Sequence, residues 1–263
     1  MRPDASVVAD FVTVSLARTI VPGDFIGVGL GTPLALVAAL VARRLVDRVH
    51  VLAGGALDVE GNIDVWLAGP DATRDRTTGY VSHLDSMDMA ERQVMTLQFL
   101  WPAQVDGSGA LNTSRVGPRH QPTVRFPGGL ATADVPALLP RVVAYLPDHI
   151  ERNLPERVSF VTASGGAGSD PRYPAAGVVT LVTDLAVIDL SGNVAALVST
   201  HPWATQEEVA DKTGFALATD ERVAITPNPS NDEGEALATV DPDRRRDVEI
   251  RLRTRQKDSE VTA

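Results

Sequence analysis

A strand, a glycine turn, a helix and a second strand follow one another near the amino terminus, and this order restricts the fold more than any other feature of the sequence. The apolar run from Phe25 ends in the glycine-rich turn Gly27–Gly31, and Thr32-Pro33 then suits a helix N-cap and first turn. The apolar segment Leu34–Val46 is predicted to be that helix, and Val49–Leu52 the next strand. The sequence therefore predicts an α/β fold with a mostly parallel sheet and helices on both faces.

Composition narrows the class of partner. The 263 residues carry a formal net charge of -10 at pH 7, which argues against nucleic acid or an anionic membrane surface as the main partner, because both would repel the chain. The chain has no cysteine, which excludes disulfides, thiolate nucleophiles and cysteine-ligated metals, and its five histidines show no metal-ligand spacing. The first residues lack a signal-peptide pattern and no apolar run suits a membrane helix, so we expect a cytoplasmic protein without a metal.

The remaining pattern predicts one α/β domain over residues 1–240 and a charged tail over residues 241–263 that is mostly solvated. The expected helices are Ser6–Ile20, a short one beginning at Asp85, Val135–Tyr145, and one from a capping box at Thr205 through Lys212. The expected strands are Arg157–Val161, a pair of strands within Val178–Asp189, and Val194–Ser199.

A central stretch, Phe99–Gly117 followed by Pro122–Gly129, stands out from this pattern. An apolar run leads into Ala103-Gln104-Val105-Asp106, then a glycine-flanked turn, then Leu111-Asn112-Thr113. This order predicts a buried strand that brings polar side chains to an edge and then turns straight back. By spacing alone such a hairpin is most often scaffold.

The central stretch resembles the signature of the β subunit of class I CoA-transferases of the glutaconate type: an Ala-Gln-Val-Asp string, a glycine turn, an Asn-Thr pair and a glycine-rich loop. The resemblance extends over most of the chain, through Val28–Leu34, Leu181–Asp184, Thr200–Phe215 and Val240-Asp-Pro242. It implies a class I CoA-transferase-like fold and an acyl-CoA substrate, with coenzyme A as part of the substrate and no permanently bound cofactor. It also implies an α subunit of similar fold, in a heterodimer or heterotetramer whose active site lies between the subunits.

One position departs from the family pattern. The resemblance places a catalytic glutamate just past the strand Val49–Leu52, and Gly54 stands there, or Ala53 if the match shifts by one residue. Neither side chain can attack a thioester. Asp58 and Glu60 are the nearest carboxylates, but several residues of displacement exceed the ~3 Å reach that attack requires.

This departure favours decarboxylation of a glutaconyl-type CoA, or acyl-CoA hydrolysis, over CoA transfer. Decarboxylation needs no protein nucleophile if the unsaturated thioester accepts the electrons, whereas hydrolysis needs a base, for which Asp58, Glu60, Asp106 or the α subunit are candidates. A transferase with a displaced nucleophile and a non-catalytic partner of an active α subunit stay open.

The remaining candidate residues would bind rather than react. Gln104 and Asn112 could hold a thioester carbonyl or brace the turn, Asp106 is expected to cap that turn, and Arg125 could meet a carboxylate or phosphate or form a structural ion pair. The glycines of the Gly27–Gly31 turn do not fit a dinucleotide fingerprint. The full predicted set for substrate or CoA binding is Gly31, Gly54, Gly55, Gln104, Asn112, Arg125, Gly128 and Gly129.

Overall fold

The computed structural model describes residues 3–29, 31–165, 177–220 and 222–251. The chain forms two compact units, a terminal unit of Met1–Phe99 with Pro227–Ala263 and a central unit of Leu100–Thr226. The sequence predicts instead one domain over residues 1–240, so the division within that range is a feature of the structure alone. None of the helices in the described ranges is both long and apolar enough to cross a membrane.

The structure contains short helices and strands in alternation. The helices are α1 (Ala5–Ala17), α2 (Pro33–Leu45), α3 (Ile63–Leu67), α4 (Pro70–Thr73), α5 (His83–Glu91), α6 (Val135–Leu138), α7 (Gln206–Asp211) and α8 (Asn231–Val240). The strands are β1 (Phe25–Val28), β2 (His50–Ala53), β3 (Ala56–Leu57), β4 (Gly79–Tyr80), β5 (Leu97–Leu100), β6 (Gln104–Val105), β7 (Leu111–Asn112), β8 (Arg115–Val116), β9 (Val124–Arg125), β10 (Arg141–Leu146), β11 (Val178–Thr183), β12 (Ala186–Asp189), β13 (Ala195–Thr200), β14 (Leu217–Ala218) and β15 (Ala224–Ile225).

The terminal unit contains the predicted βαβ unit. Its strands lie in the order β5-β1-β2-β3-β4, with β1 parallel to both β5 and β2. Val28 at the end of β1 pairs with Ala53 of β2 and Phe99 of β5, so the carboxyl ends of these strands meet at one edge. Helix α2 packs against both α1 and α8, and most of its side chains are buried. The α/β class is confirmed, because the helix between two parallel strands covers the sheet as the pattern requires.

The segment from Asp241 to Arg251 differs from the solvated tail that the sequence predicts. Arg246 is only 3% exposed, and its guanidinium lies 2.7 Å from Asp10 of α1 and 2.6 Å from Asp241. The buried carboxylate of Glu249 accepts a hydrogen bond from the backbone N–H of Leu34, in the first turn of α2, at 2.8 Å. These charges are therefore internal ion pairs and a helix-end contact of the terminal unit, and residues 252–263 lie outside the described ranges.

In the central unit β10 and β11 are parallel, β11, β12 and β13 form an antiparallel meander, and β14 and β15 run parallel to β13. The two strands expected within Val178–Asp189 are confirmed as β11 and β12. The helix predicted to begin at the capping box is confirmed as α7, and the Thr205 side chain accepts the N–H of Glu208.

Two predicted elements of the central unit are wrong. The helix expected over Val135–Tyr145 stops after α6, and β10 begins at Arg141, because Pro140 cannot continue a helix and the apolar residues after it are buried on both faces of a strand. The strand expected over Arg157–Val161 does not form. The N–H groups of Val158 and Ser159 bond instead to the side chains of Asp106 and Gln104, so no partner strand receives them.

Candidate functional site

Two consecutive glycines form the turn after β2. Leu52 pairs with Leu57 and Ala53 with Ala56, which leaves Gly54 and Gly55 as a two-residue hairpin loop. Their φ angles are 58° and 82°, as a type I′ turn requires and as glycine adopts at little cost. Gly31, with φ of 74°, follows β1 at the same edge of the sheet. The edge where the resemblance places a catalytic carboxylate is therefore lined here by backbone.

Asp58 is held away from this edge. The hairpin turns the chain back, so the Asp58 N–H bonds to the Val51 carbonyl, at 2.9 Å. Val51 lies three residues before Gly54, which at ~3.3 Å per residue puts Asp58 about 10 Å from the turn.

The Asp58 carboxylate is also fully engaged. It is 7% exposed, accepts the Val51 N–H at 2.8 Å and lies 2.7 Å from Nδ1 of His50. The Arg43 guanidinium lies 3.8 Å from the other side of the same carboxylate. Glu60 follows as an exposed side chain whose backbone N–H bonds to Arg76. These contacts favour a structural role for Asp58.

Gln104 and Asn112 face each other across the hairpin β6–β7 and are both buried. The Asn112 amide donates to the Gln104 side-chain oxygen at 2.8 Å and to the Arg115 carbonyl, while its oxygen accepts the N–H groups of Ser114 and Arg115. Gln104 in turn donates to the Arg152 carbonyl and accepts from Ser159. Each amide thus spends its hydrogen bonds inside the unit, which favours bracing of the turn over contact with a thioester.

Asp106 caps the turn after β6, as expected. One carboxylate oxygen accepts the Ser108 N–H at 3.0 Å and its hydroxyl at 2.6 Å. The other accepts the N–H of Val158 at 3.1 Å.

A basic cleft of about 580 Å³ lies along the hairpin β8–β9. It contains Arg125 and Gly128 from the predicted set, whereas Gly129 is outside its lining. The full lining is Ser114, Arg115, Arg119, His120, Arg125, Phe126, Pro127, Gly128 and Phe160. The Arg115 guanidinium lies over the Phe160 ring, 4.6 Å from its centroid, and also donates to the Gly117 carbonyl.

The arginines beside Arg125 are absent from the predicted set. A signal for them exists in the sequence: residues 107–133 contain no aspartate or glutamate, in a chain that has 34 of these residues. Within this acid-free stretch lie Arg115, Arg119, His120 and Arg125. The described ranges contain no group of three or more histidine and acidic residues arranged to hold a metal ion.

Two buried histidines form a second polar cluster in the central unit. His149 has its ring nitrogens 2.8 Å and 2.9 Å from the hydroxyls of Thr183 and Thr213. His201 Nε2 lies 2.9 Å from the Thr183 carbonyl, which can only accept, so the neutral ring donates from Nε2. Its Nδ1 then accepts from Thr226, at 3.0 Å. Burial lowers the pKa of His149 and of His201 from 6.5 to about 4.

We expect the free energy of unfolding to fall between pH 7 and pH 5. Because both pKa values lie below those of the unfolded chain, the unfolded state binds more protons in this range, and stability is lost as pH falls through 6.5 towards 4. Each histidine accounts for about 2 kcal/mol of this loss. Urea unfolding at the two pH values measures it, and His149→Gln or His201→Gln should each remove about half of the pH dependence. An unchanged dependence in both variants would contradict the assignment.

Comparisons with known proteins place this geometry in a family. No family model matches the chain. One chain of the decarboxylase AibA/AibB is 31% identical, with a TM-score of 0.80, over 92% of this chain and 98% of that one. The β subunit of the 3-oxoadipate CoA-transferase of Pseudomonas knackmussii is 28% identical over 243 residues, 88% of this chain and 92% of the relative. The IpdB subunit of the cholesterol ring-cleaving hydrolase of Rhodococcus jostii is 31% identical over 153 residues, 56% of this chain and 60% of the relative.

The chain belongs to the class I CoA-transferase family, as a β-like subunit. These relatives are a decarboxylase, a transferase and a hydrolase, so the family is one of enzymes with several reactions on one scaffold.

Proposed function

We propose that this chain is the β-like subunit of a heteromeric acyl-CoA enzyme that decarboxylates a glutaconyl-type CoA. The observation that carries the proposal is the Gly54–Gly55 turn at the carboxyl end of β2. It offers no side chain where a CoA-transferase of this family has its glutamate. Without that carboxylate, CoA cannot be carried on this chain between two acids.

The nearby carboxylates do not replace it. Asp58 lies about 10 Å back from the turn and is engaged by His50 and the Val51 N–H, so using it would mean breaking these contacts. Glu60 lies two residues further along the chain and is exposed. A transferase with a displaced nucleophile is therefore less well supported than a reaction that needs none.

Decarboxylation meets this condition, since the substrate supplies its own electron sink. The bond between the distal carboxylate and its neighbouring carbon breaks, CO₂ leaves, and the electron pair spreads into the unsaturated thioester. A proton from solvent or from the α subunit then completes the product. A glycine-lined edge leaves room for the substrate and little polar side chain to solvate its carboxylate, which promotes loss of CO₂.

The relatives support this order of preference. The similarity to the decarboxylase covers almost the whole of both chains. Four further structures of that decarboxylase carry valine, alanine, asparagine or serine in place of one cysteine, and this chain contains no cysteine. If that cysteine takes part in the relative's reaction, this chain does without it.

Acyl-CoA hydrolysis is the second candidate, favoured by the similarity of 153 residues to the IpdB hydrolase subunit. It also needs no nucleophile on this chain, but it needs a base to activate water. Because Asp58 is engaged, that base would come from the α subunit. We place either enzyme in the cytoplasm, which suits a cysteine-free chain.

The test is to co-express the chain with its co-encoded α subunit and to incubate the complex with glutaconyl-CoA, with and without acetate. We expect CO₂ and a shortened acyl-CoA, at a rate independent of acetate, by mass spectrometry. Free CoA with an intact acid would indicate hydrolysis. Acetyl-CoA that forms only with acetate would overturn the proposal, as would full activity of the α subunit alone.

A further inference from the structure

The basic cleft contains an arrangement that is unfavourable for the hairpin itself. Arg115 and Arg125 are directly opposite each other in the register of β8 and β9. Like charges at directly opposed positions destabilise a two-stranded ribbon. Arg119 and His120, in the connection between the strands, line the same cleft.

Nothing among the described residues offsets these charges. The lining contains no carboxylate, and Arg119, His120 and Arg125 make no hydrogen bond or ion pair with any described residue. Arg125 and Arg119 are exposed, whereas Arg115 is anchored on Phe160 and on the Gly117 carbonyl. Two guanidinium groups are thus left with their donors free, on a chain whose net charge is -10.

Guanidinium donors in this arrangement suit phosphate oxygens, which they bind in pairs of charge-assisted hydrogen bonds. The cleft also has an aromatic ring, Phe126, beside Arg125, and a base can stack on such a ring. A volume of about 580 Å³ lies within the usual range for a small-molecule site. Phosphates together with a base describe a phosphorylated nucleoside.

We propose that the basic cleft binds the phosphorylated adenosine end of coenzyme A, an inference that rests on the acyl-CoA function proposed above. Arg119 and Arg125 bind the phosphates, Phe126 packs against adenine, and Arg115 holds the hairpin in shape through Phe160. The local positive charge also attracts a polyanionic substrate to a chain that otherwise repels it.

Binding to the complex of this chain with its α subunit tests the proposal, with CoA, dephospho-CoA and pantetheine as probes. We expect CoA to bind at least about tenfold more tightly than pantetheine, with dephospho-CoA between them. Arg119→Gln and Arg125→Gln should each weaken CoA binding by about tenfold and leave pantetheine binding unchanged. Arg222→Gln, which removes an exposed arginine of the same unit outside the cleft, is the matched control.

Equal affinity of the wild-type complex and both cleft variants for CoA would overturn the proposal, and so would equal weakening by Arg222→Gln. Turnover by the wild-type complex reports on the proposed function independently. A complex that releases CO₂ while the cleft variants keep the wild-type KM for acyl-CoA would retain that function and lose the cleft. A complex that binds CoA through these arginines without releasing CO₂ would do the reverse.

Discussion

Replacing Arg246 by methionine is expected to lower the free energy of unfolding by about 3–5 kcal/mol. The guanidinium is paired with Asp241 at 2.6 Å and with Asp10 at 2.7 Å, and Asp241 is itself almost wholly buried. Methionine fills much of the same volume but removes the charge, so the Asp241 carboxylate is left in the interior without its counter-ion. The loss arises from that unpaired charge.

Urea unfolding of the chain measures this effect, with Arg251→Met as the control. Arg251 is also paired with an aspartate, Asp247, but its side chain is 66% exposed. An exposed pair contributes about 0–1 kcal/mol, so the control should change stability by less than 1 kcal/mol. Similar losses in the two variants would show that residues 241–251 behave as the solvated tail that the sequence predicts.

Replacing Gly54 by glutamate is expected to introduce CoA transfer where the wild-type complex has none. The new carboxylate would attack the thioester carbonyl and expel CoA. The CoA thiolate would then attack the resulting anhydride at the glutamate, which releases the acid and leaves CoA on the protein. Acetate reverses these steps and leaves as acetyl-CoA. The φ of 58° at Gly54 is left-handed, so the side chain costs about 1–2 kcal/mol of stability.

Intact-protein mass spectrometry after incubation with acyl-CoA detects the covalent intermediate as the added mass of CoA on this chain. Gly54→Gln has the same backbone cost and nearly the same size but no nucleophile, so it should form no adduct and no acetyl-CoA. An adduct on the wild-type chain would mean that another residue is the nucleophile. Absence of an adduct on a folded Gly54→Glu complex would show that Gly54 does not stand at the reacting carbon.

Much of the candidate site could be predicted from the sequence because its signals are contiguous. The turn after β2 and the glutamine–asparagine hairpin are each encoded within about ten residues. The roles within them were harder to predict. Whether Gln104 and Asn112 face a ligand or each other depends on Ser159 and Arg152, which approach from about fifty residues away and take up their hydrogen bonds.

The sequence by itself determined the α/β class, the βαβ unit around α2, the family and the missing carboxylate at Gly54, since periodicity, caps and turns act between near neighbours. Only the tertiary structure decided that Val142–Leu146 is a strand, because an apolar run suits a buried helix or a buried strand equally well until its neighbours are in place. Only it decided that Arg246 is internal, through contact with Asp10 across 236 residues, and that Arg115 opposes Arg125. Burial and charge pairing depend on such distant contacts, and no local pattern encodes them.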